Sequence, residues 1–390
     1  MWLACKGALC WCEVHSGKST TSGKVSEMNK TLLFMIGSTL LIGGVSVAAP
    51  TSTPSASPVI DVKLSVPEGS TLRDMVPRRI LDISPETNMA VVAIGAPQDP
   101  SIPRAVVDVM VADLKTGKLS PISNVVGKGE QGRAVGVQLS HDRKRLLVNW
   151  IEREDAALYA IELPDGKPVK IAGGIVMALW AGDKIAVGRI TPEGRLAKII
   201  MADPATGKSN EVPVRGMLVA GLPDGTVLVG GNPKAPAAEV SIMEACGTGR
   251  LFHIGAHGKV LGDIAPVGIL SSPLVVSDNG RFIAFQSKPV DASGGPGTKY
   301  GFAIMSVDGK SKQELTTRYF PIAVTNDGAA IVISNSPDAS NMAPVSWVNK
   351  DGKTVKEVVK AVSATVIGRS LLYTTNNGNS AIKTASLPSQ

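Results

Sequence analysis

From residue 59 to residue 390 the chain alternates short apolar runs with turns rich in Gly, Asp, Asn and Lys. A turn bearing Gly-Lys recurs six times: Thr116-Gly117-Lys118, Asp165-Gly166-Lys167, Thr206-Gly207-Lys208, His257-Gly258-Lys259, Asp308-Gly309-Lys310 and Asp351-Gly352-Lys353. Successive glycines lie 49, 41, 51, 51 and 43 residues apart. Such turns between apolar stretches predict hairpins, because glycine supplies the positive φ they need. A second turn interleaves with the first at Asp224-Gly225, Asn279-Gly280 and Asp327-Gly328. Looser versions stand at Pro85-Glu86, His141-Asp142, Gly182-Asp183 and Gly368-Arg369. A strand is expected on each side of every turn, which gives four short strands per unit of about 40–50 residues, the size of a propeller blade.

Seven copies of the first three strands are present, but a fourth follows only six of them, because the chain ends at 381–387. The missing strand is available at the other end, where VIDVKLSV (59–66) stands alone before the first unit. The pattern therefore predicts an all-β fold: a seven-bladed β-propeller of four-stranded antiparallel blades. Residues 59–390 form one domain, and strand 59–66 joins the C-terminal blade to close the ring. Closure would remove the edges an open sheet exposes. An array of β-sandwiches is the competing architecture.

Three segments, PLVVSDNGRFIAFQS (273–287), GFAIMSVDGK (301–310) and QELT (313–316), carry a fuller signature. Ile83-Ser84-Pro85-Glu86 and Val324-Thr325-Asn326-Asp327-Gly328 repeat part of it. Together they resemble the TolB-type (WD-like) propeller repeat in a degenerate form. The aromatic of the family's first strand survives only as Trp180, displaced, and the Trp-Asp and Gly-His marks of WD repeats are absent. The resemblance implies a propeller and a habit of binding proteins or peptides.

The first 58 residues read differently. Met28-Asn29-Lys30 precedes an almost wholly apolar run, 32–47, and then Ser46-Val47-Ala48. A basic start, an apolar centre and small residues at the end are the parts of a secretory leader. Residues 28–48 are thus expected to be a signal peptide cut after Ala48, the alternative being an uncleaved anchor. Residues 1–27 read as an upstream extension from a mis-called start. Residues 49–58, rich in Pro, Ser and Thr, read as an extended linker. The protein is expected to be exported, to the periplasm or outside the cell, with no membrane span once the leader is gone.

Composition narrows the classes. Of 390 residues 44% are hydrophobic and 19% charged, which excludes disorder, and a single long apolar run excludes a polytopic membrane protein. Beyond residue 48 the balance is 36 basic against 31 acidic side chains, dispersed, so no nucleic-acid stripe forms. Of the four cysteines only Cys246 lies beyond the leader, so the mature chain can form no internal disulfide and must be held by packing.

Candidate chemistry is sparse. Four Gly-Lys-Ser/Thr triplets (17–19, 207–209, 309–311, 352–354) lack the glycine five residues before theirs that a phosphate loop requires. No Gly-x-Ser-x-Gly elbow exists. His253, His257 and Asp263 are weak metal candidates, and no catalytic residue or cofactor is assigned. The long second-to-third-strand and inter-blade connections at 95–104, 124–133, 232–249 and 288–300 are the expected binding surface. They carry Lys128, Glu130, Arg133, Glu239, Glu244, Lys288, Asp291 and Tyr300. The leading reading is a binding or scaffold protein that presents loops to a protein or peptide. One alternative is a hydrolase or lyase acting on a glycan or peptide at the channel mouth. Another is a small-ligand or metal receptor, for which His253 and Asp263 would have to meet.

Intact-mass and N-terminal analysis of the exported protein should find Ala49 as its first residue. A chain beginning upstream of residue 49 would mean that the apolar run is retained.

Overall fold

A computed structural model describes residues 60–65, 76–95, 108–128, 132–152, 155–174, 176–189, 195–231, 251–255, 257–264, 274–289, 300–316, 319–334, 338, 340, 342–375 and 381–388. The extension, leader and linker expected at 1–58 lie outside them. Among the described residues 28 strands form seven four-stranded sheets. Every sequential pair within a sheet is antiparallel, as short strands joined by tight turns require.

Blade 1 comprises β2 (Val76–Ser84), β3 (Met89–Gly95), β4 (Asp108–Asp113) and β5 (Leu119–Pro121). Blade 2 comprises β6 (Gly132–Leu139), β7 (Arg145–Glu152), β8 (Asp155–Glu162) and β9 (Val169–Gly173). Blade 3 is β10 (Val176–Ala181), β11 (Lys184–Arg189), β12 (Lys198–Ala202) and β13 (Ser209–Arg215). Blade 4 is β14 (Met217–Gly221), β15 (Val227–Gly230), β16 (Leu251–Ile254) and β17 (Val260–Ile264). Blade 5 is β18 (Leu274–Val276), β19 (Phe282–Pro289), β20 (Tyr300–Ser306) and β21 (Lys312–Thr316). Blade 6 is β22 (Tyr319–Val324), β23 (Ala330–Ser334), β24 (Ala343–Val348) and β25 (Val355–Ala361). Blade 7 takes β26 (Ser363–Ile367), β27 (Ser370–Thr374) and β28 (Ala381–Ser386) from the C-terminus, and its outer strand is β1 (Val62–Lys63).

The second strand of each blade is apolar at nearly every position because both of its faces are covered. In β7, Leu146, Val148 and Trp150 pack toward blade 1, whereas Leu147 packs toward blade 3. The alternation follows from the two-residue period of a strand. Seven apolar clusters result, one for each gap between neighbouring blades.

The gap between blades 7 and 1 is closed by the expected N-terminal strand, whose ladder is two residues long. Val62 pairs with Ile382 and Lys63 with Ala381. Flanking contacts extend it. Ile60 N–H donates to Thr384 Oγ1 at 2.7 Å, and that hydroxyl donates back to Ile60 C=O at 3.0 Å. Ile60 and Leu64 enter the same core as Ile80, Ile83, Leu372 and Ile382. The chain then crosses to blade 1, where Ser65 N–H donates to Gly117 C=O and Leu119 N–H to Ser65 C=O, both at 2.9 Å. One six-residue segment thus belongs to both ends of the ring.

Five of the six Gly-Lys turns carry a left-handed glycine; Gly166 is the exception. At Gly117 (φ 74°) absence of a side chain has a second cause: a Cβ would lie 1.8 Å from Lys63 C=O. Gly309 has nearly the same φ, 73°, but open space around it. Gly309→Ala should therefore cost about 1–2 kcal/mol, the left-handed penalty alone. Gly117→Ala should add roughly 1–3 kcal/mol of steric strain against the clasp. Thermal or urea unfolding of the two variants side by side checks this; equal losses would mean that the clasp yields without cost.

Candidate functional site

Each blade has two ends. First-to-second and third-to-outer turns gather on one face of the ring, here the turn face. Second-to-third and inter-blade connections gather on the other, the loop face.

On the loop face, Glu130, Glu239, Glu244 and Asp291 lie outside the described residues. Lys128 is exposed after the short helix α1 (Ile122–Val126), which occupies part of the 124–133 connection expected to be a loop. Its Nζ stands 5.7 Å from the Tyr159 ring centroid, within cation–π range. Arg133 is exposed but belongs to β6, not to a loop. Lys288 and Tyr300 belong to β19 and β20, which run further into the 288–300 connection than the sequence implies and pair Pro289 with Tyr300.

The weak metal trio does not converge. On β16 and β17, His253 faces Gly262 and Phe252 faces Asp263, so consecutive residues place His253 and Asp263 on opposite faces of blade 4. His257 is exposed in the turn beyond. His253 instead meets the turn after β14. Its Nε2 is 2.7 Å from Thr226 Oγ1, and that hydroxyl donates to Asp224 Oδ1 at 2.6 Å. Burial lowers the His253 imidazole below its usual pKa, against the opposing pull of Asp224. Among the described residues no group of three or more His, Cys, Asp and Glu could hold a metal ion.

The turn face is tied together from blade to blade. Its inner turns in blades 2, 5 and 6 share a pattern: Ser or Thr, two residues, then a left-handed residue. The first hydroxyl bonds back into its own turn, as Ser277 Oγ does by accepting from Arg281 and Phe282 N–H. Arg143 takes the glycine position in blade 2, with φ 59°. A buried ion pair accompanies that strained backbone. Arg143 Nη1 donates to Asp82 Oδ1 at 2.9 Å and to Ile83 C=O at 2.7 Å, which joins blade 2 to blade 1. His141 Nε2 lies 3.0 Å from Trp180 C=O, joining blades 2 and 3. Gly182 N–H donates to Leu222 C=O between blades 3 and 4. Asn279 N–H donates to Asn326 Oδ1 at 2.8 Å between blades 5 and 6.

A cavity of about 360 Å³ opens on this face among blades 5, 6 and 7. Val276, Val324, Trp347, Val366 and Leu387 supply apolar lining; Asp278, Asn326, Asp327 and Arg369 supply polar groups. Its C-terminal wall is fixed by two bonds. Leu387 N–H donates to Arg369 C=O at 2.9 Å, and Arg369 Nη2 donates to Pro388 C=O at 3.0 Å. Sequence reasoning placed the binding surface on the loop face and missed this cavity. Its walls come from three blades and the residues after β28, so no local signal in the sequence marked it.

Solved structures similar to this chain include an oligogalacturonate lyase in complex with manganese, 14% identical over 87% of this chain and 99% of that one, with a TM-score of 0.52. The chain is a seven-bladed β-propeller. The propeller domain of the Trilobed protease from Pyrococcus furiosus is 10% identical, covers 76% of this chain and 90% of its own, and gives a TM-score of 0.47. TolB from Acinetobacter baumannii is 12% identical over 76% of each chain, with a TM-score of 0.37. At these identities the likeness is one of fold alone. No protein-family profile matches the chain, and no curated protein matches its sequence.

The outer turns give the face an acid response. Lys184 and the N–H of Thr206 hold the Asp203 carboxyl down to about 2, from an ordinary value of 3.8. Backbone N–H groups lower Asp113, and the Ser306 hydroxyl lowers Asp308. Depressed carboxylates stabilise the fold above pH about 4, and that stabilisation disappears as pH falls toward 2. Melting temperature should decline slightly as pH falls below about 6.5, where burial keeps His253 from taking the proton it would take unfolded, and then drop more steeply below pH 4. Asp203→Asn should lower the plateau slightly and soften the drop; an unchanged acid limb would show that Asp203 does not contribute.

Proposed function

We propose that this protein is an exported binding propeller, a rigid ring that docks a protein or peptide partner. The observation that carries the reading is the turn face, where inter-blade hydrogen bonds hold a partly apolar cavity of about 360 Å³ in a fixed frame. A preformed pocket with apolar lining and a few placed polar groups is what a ligand site requires, and a rigid one spends little free energy on ordering itself. The leader at 28–48 supports export. No helix among the described residues is long and apolar enough to cross a membrane.

The test puts a photoreactive residue at Asn326 on the turn face and, separately, at Lys128 on the loop face of the protein in its native cell. One position should yield one dominant protein adduct, and the purified partner should bind the ring at one-to-one stoichiometry. No adduct from either face, combined with Mn²⁺-dependent turnover of oligogalacturonate, would replace this reading with the lyase alternative.

A further inference from the structure

The face that blade 7 turns toward blade 1 is rich in hydroxyls. Residues directly opposite in an antiparallel ladder share a face. Register therefore sets Ser363 with Thr374, Thr365 with Leu372, and Ile367 with Ser370 on one side of blade 7. Ile367, Leu372 and Ile382 place that side in the core shared with blade 1. Blade 1 answers with Ile80, Ile83, Ala90, Val92 and Ile94, all apolar. Ser363, Thr365, Ser370 and Thr374 are all buried.

Not every hydroxyl in this seam is paired. Ser363 Oγ accepts from Ile80 N–H at 3.2 Å, a bond that crosses from blade 7 to blade 1. Ser370 and Thr374 are 0% and 1% exposed, yet neither Ser370 Oγ nor Thr374 Oγ1 has a hydrogen-bond partner among the described residues. They stand at the two ends of β27, so the deficit runs from the turn face to the loop face of the seam. A hydroxyl buried without a partner costs free energy, and that cost is returned when water reaches it.

The same seam is the one where the chain closes on itself without a covalent link. Elsewhere the backbone runs from the outer strand of one blade into the inner strand of the next; here blade 7 borrows its outer strand. Segment 60–65 spans the seam with a two-pair ladder to β28, the Ile60–Thr384 bonds, and backbone bonds from Ser65 to Gly117 and Leu119.

We propose that the ring has a built-in opening at this seam. Segment 60–65 is a strap that lifts from β28 and Gly117, blade 7 then parts from blade 1, and water reaches Ser370 and Thr374. Their two hydroxyls lower the cost of that step, so the ring opens here before it opens anywhere else. The six other apolar clusters stay packed, which makes the event a local opening rather than unfolding. A ring built this way opens at the seam whether or not it also holds a partner.

Amide hydrogen exchange of the full chain under native conditions, resolved to single residues, is the test. The amides of Ile60, Ser65, Ile80 and Leu119 make bonds that the opening breaks. They should share one protection factor, below that of the core amides of β7. Thr374→Val keeps the shape of the side chain and removes the polar atom, so it should raise that shared factor about tenfold, and Ser370→Ala several-fold. Gly117→Ala, which drives a Cβ against Lys63 C=O, should lower it; Gly309→Ala, with a similar φ in blade 5, should leave it unchanged.

Unchanged or lower protection in both hydroxyl variants would overturn the opening as proposed, because the two hydroxyls would then be satisfied in the closed seam. Fast exchange at Ile60 and Ser65 with Ile80 as protected as the β7 core would overturn it as well. The strap would then fray while the seam stayed shut.

Discussion

A four-stranded blade has two apolar faces and can bury neither by itself. Its stability comes from a neighbour on each side, and the condition is met for every blade only when the ring closes. That makes the contact between blades 7 and 1 the one on which the others depend. It is made by a segment with a two-residue ladder, reinforced by the Thr384 hydroxyl on one side and the Gly117 and Leu119 backbone on the other. A short ladder suffices because Ile60 and Leu64 are buried in the inter-blade core with residues of both end blades. The hydrogen bonds fix the register, and apolar burial supplies most of the stabilisation.

Once closed, the ring offers two unlike surfaces. The turns on one face are short, and several are bonded to the next blade. The strained backbone of Arg143 belongs to this frame: its ion pair with Asp82 is buried, so the same contact that offsets the strain also locks two blades. Connections on the other face are longer and vary from blade to blade. The candidate cavity lies on the regular face, among blades 5, 6 and 7. There Leu387 N–H meets Arg369 C=O, as Leu163 N–H meets Lys144 C=O in blade 2 and Val307 N–H meets Arg281 C=O in blade 5, and Arg369 Nη2 adds a bond to Pro388 C=O.

Much of this architecture was legible in the sequence, down to the borrowed strand, because a propeller repeats its instructions. Turn glycines recur at blade spacing, and the second strands read as continuous apolar runs because both faces are covered. Details that depend on neighbours were less legible. Sequence marked 124–133 as a loop, and α1 occupies part of it; it marked Lys288 and Tyr300 as loop residues, and the β19–β20 ladder takes them in. His253 and Asp263 looked close along the chain, but register put them on opposite faces.

The sequence by itself determined the number of blades, the strands in each and the manner of closure, since each is written in local period and turn composition. The tertiary structure alone decided which residues share a site. Trp347, Asp327, Arg369 and Leu387 belong to four different strands, turns and connections, and nothing in their spacing joins them. They line one cavity because consecutive blades pack side by side, which brings the inner turns of blades 5, 6 and 7, the end of β24 and the residues after β28 together on one face.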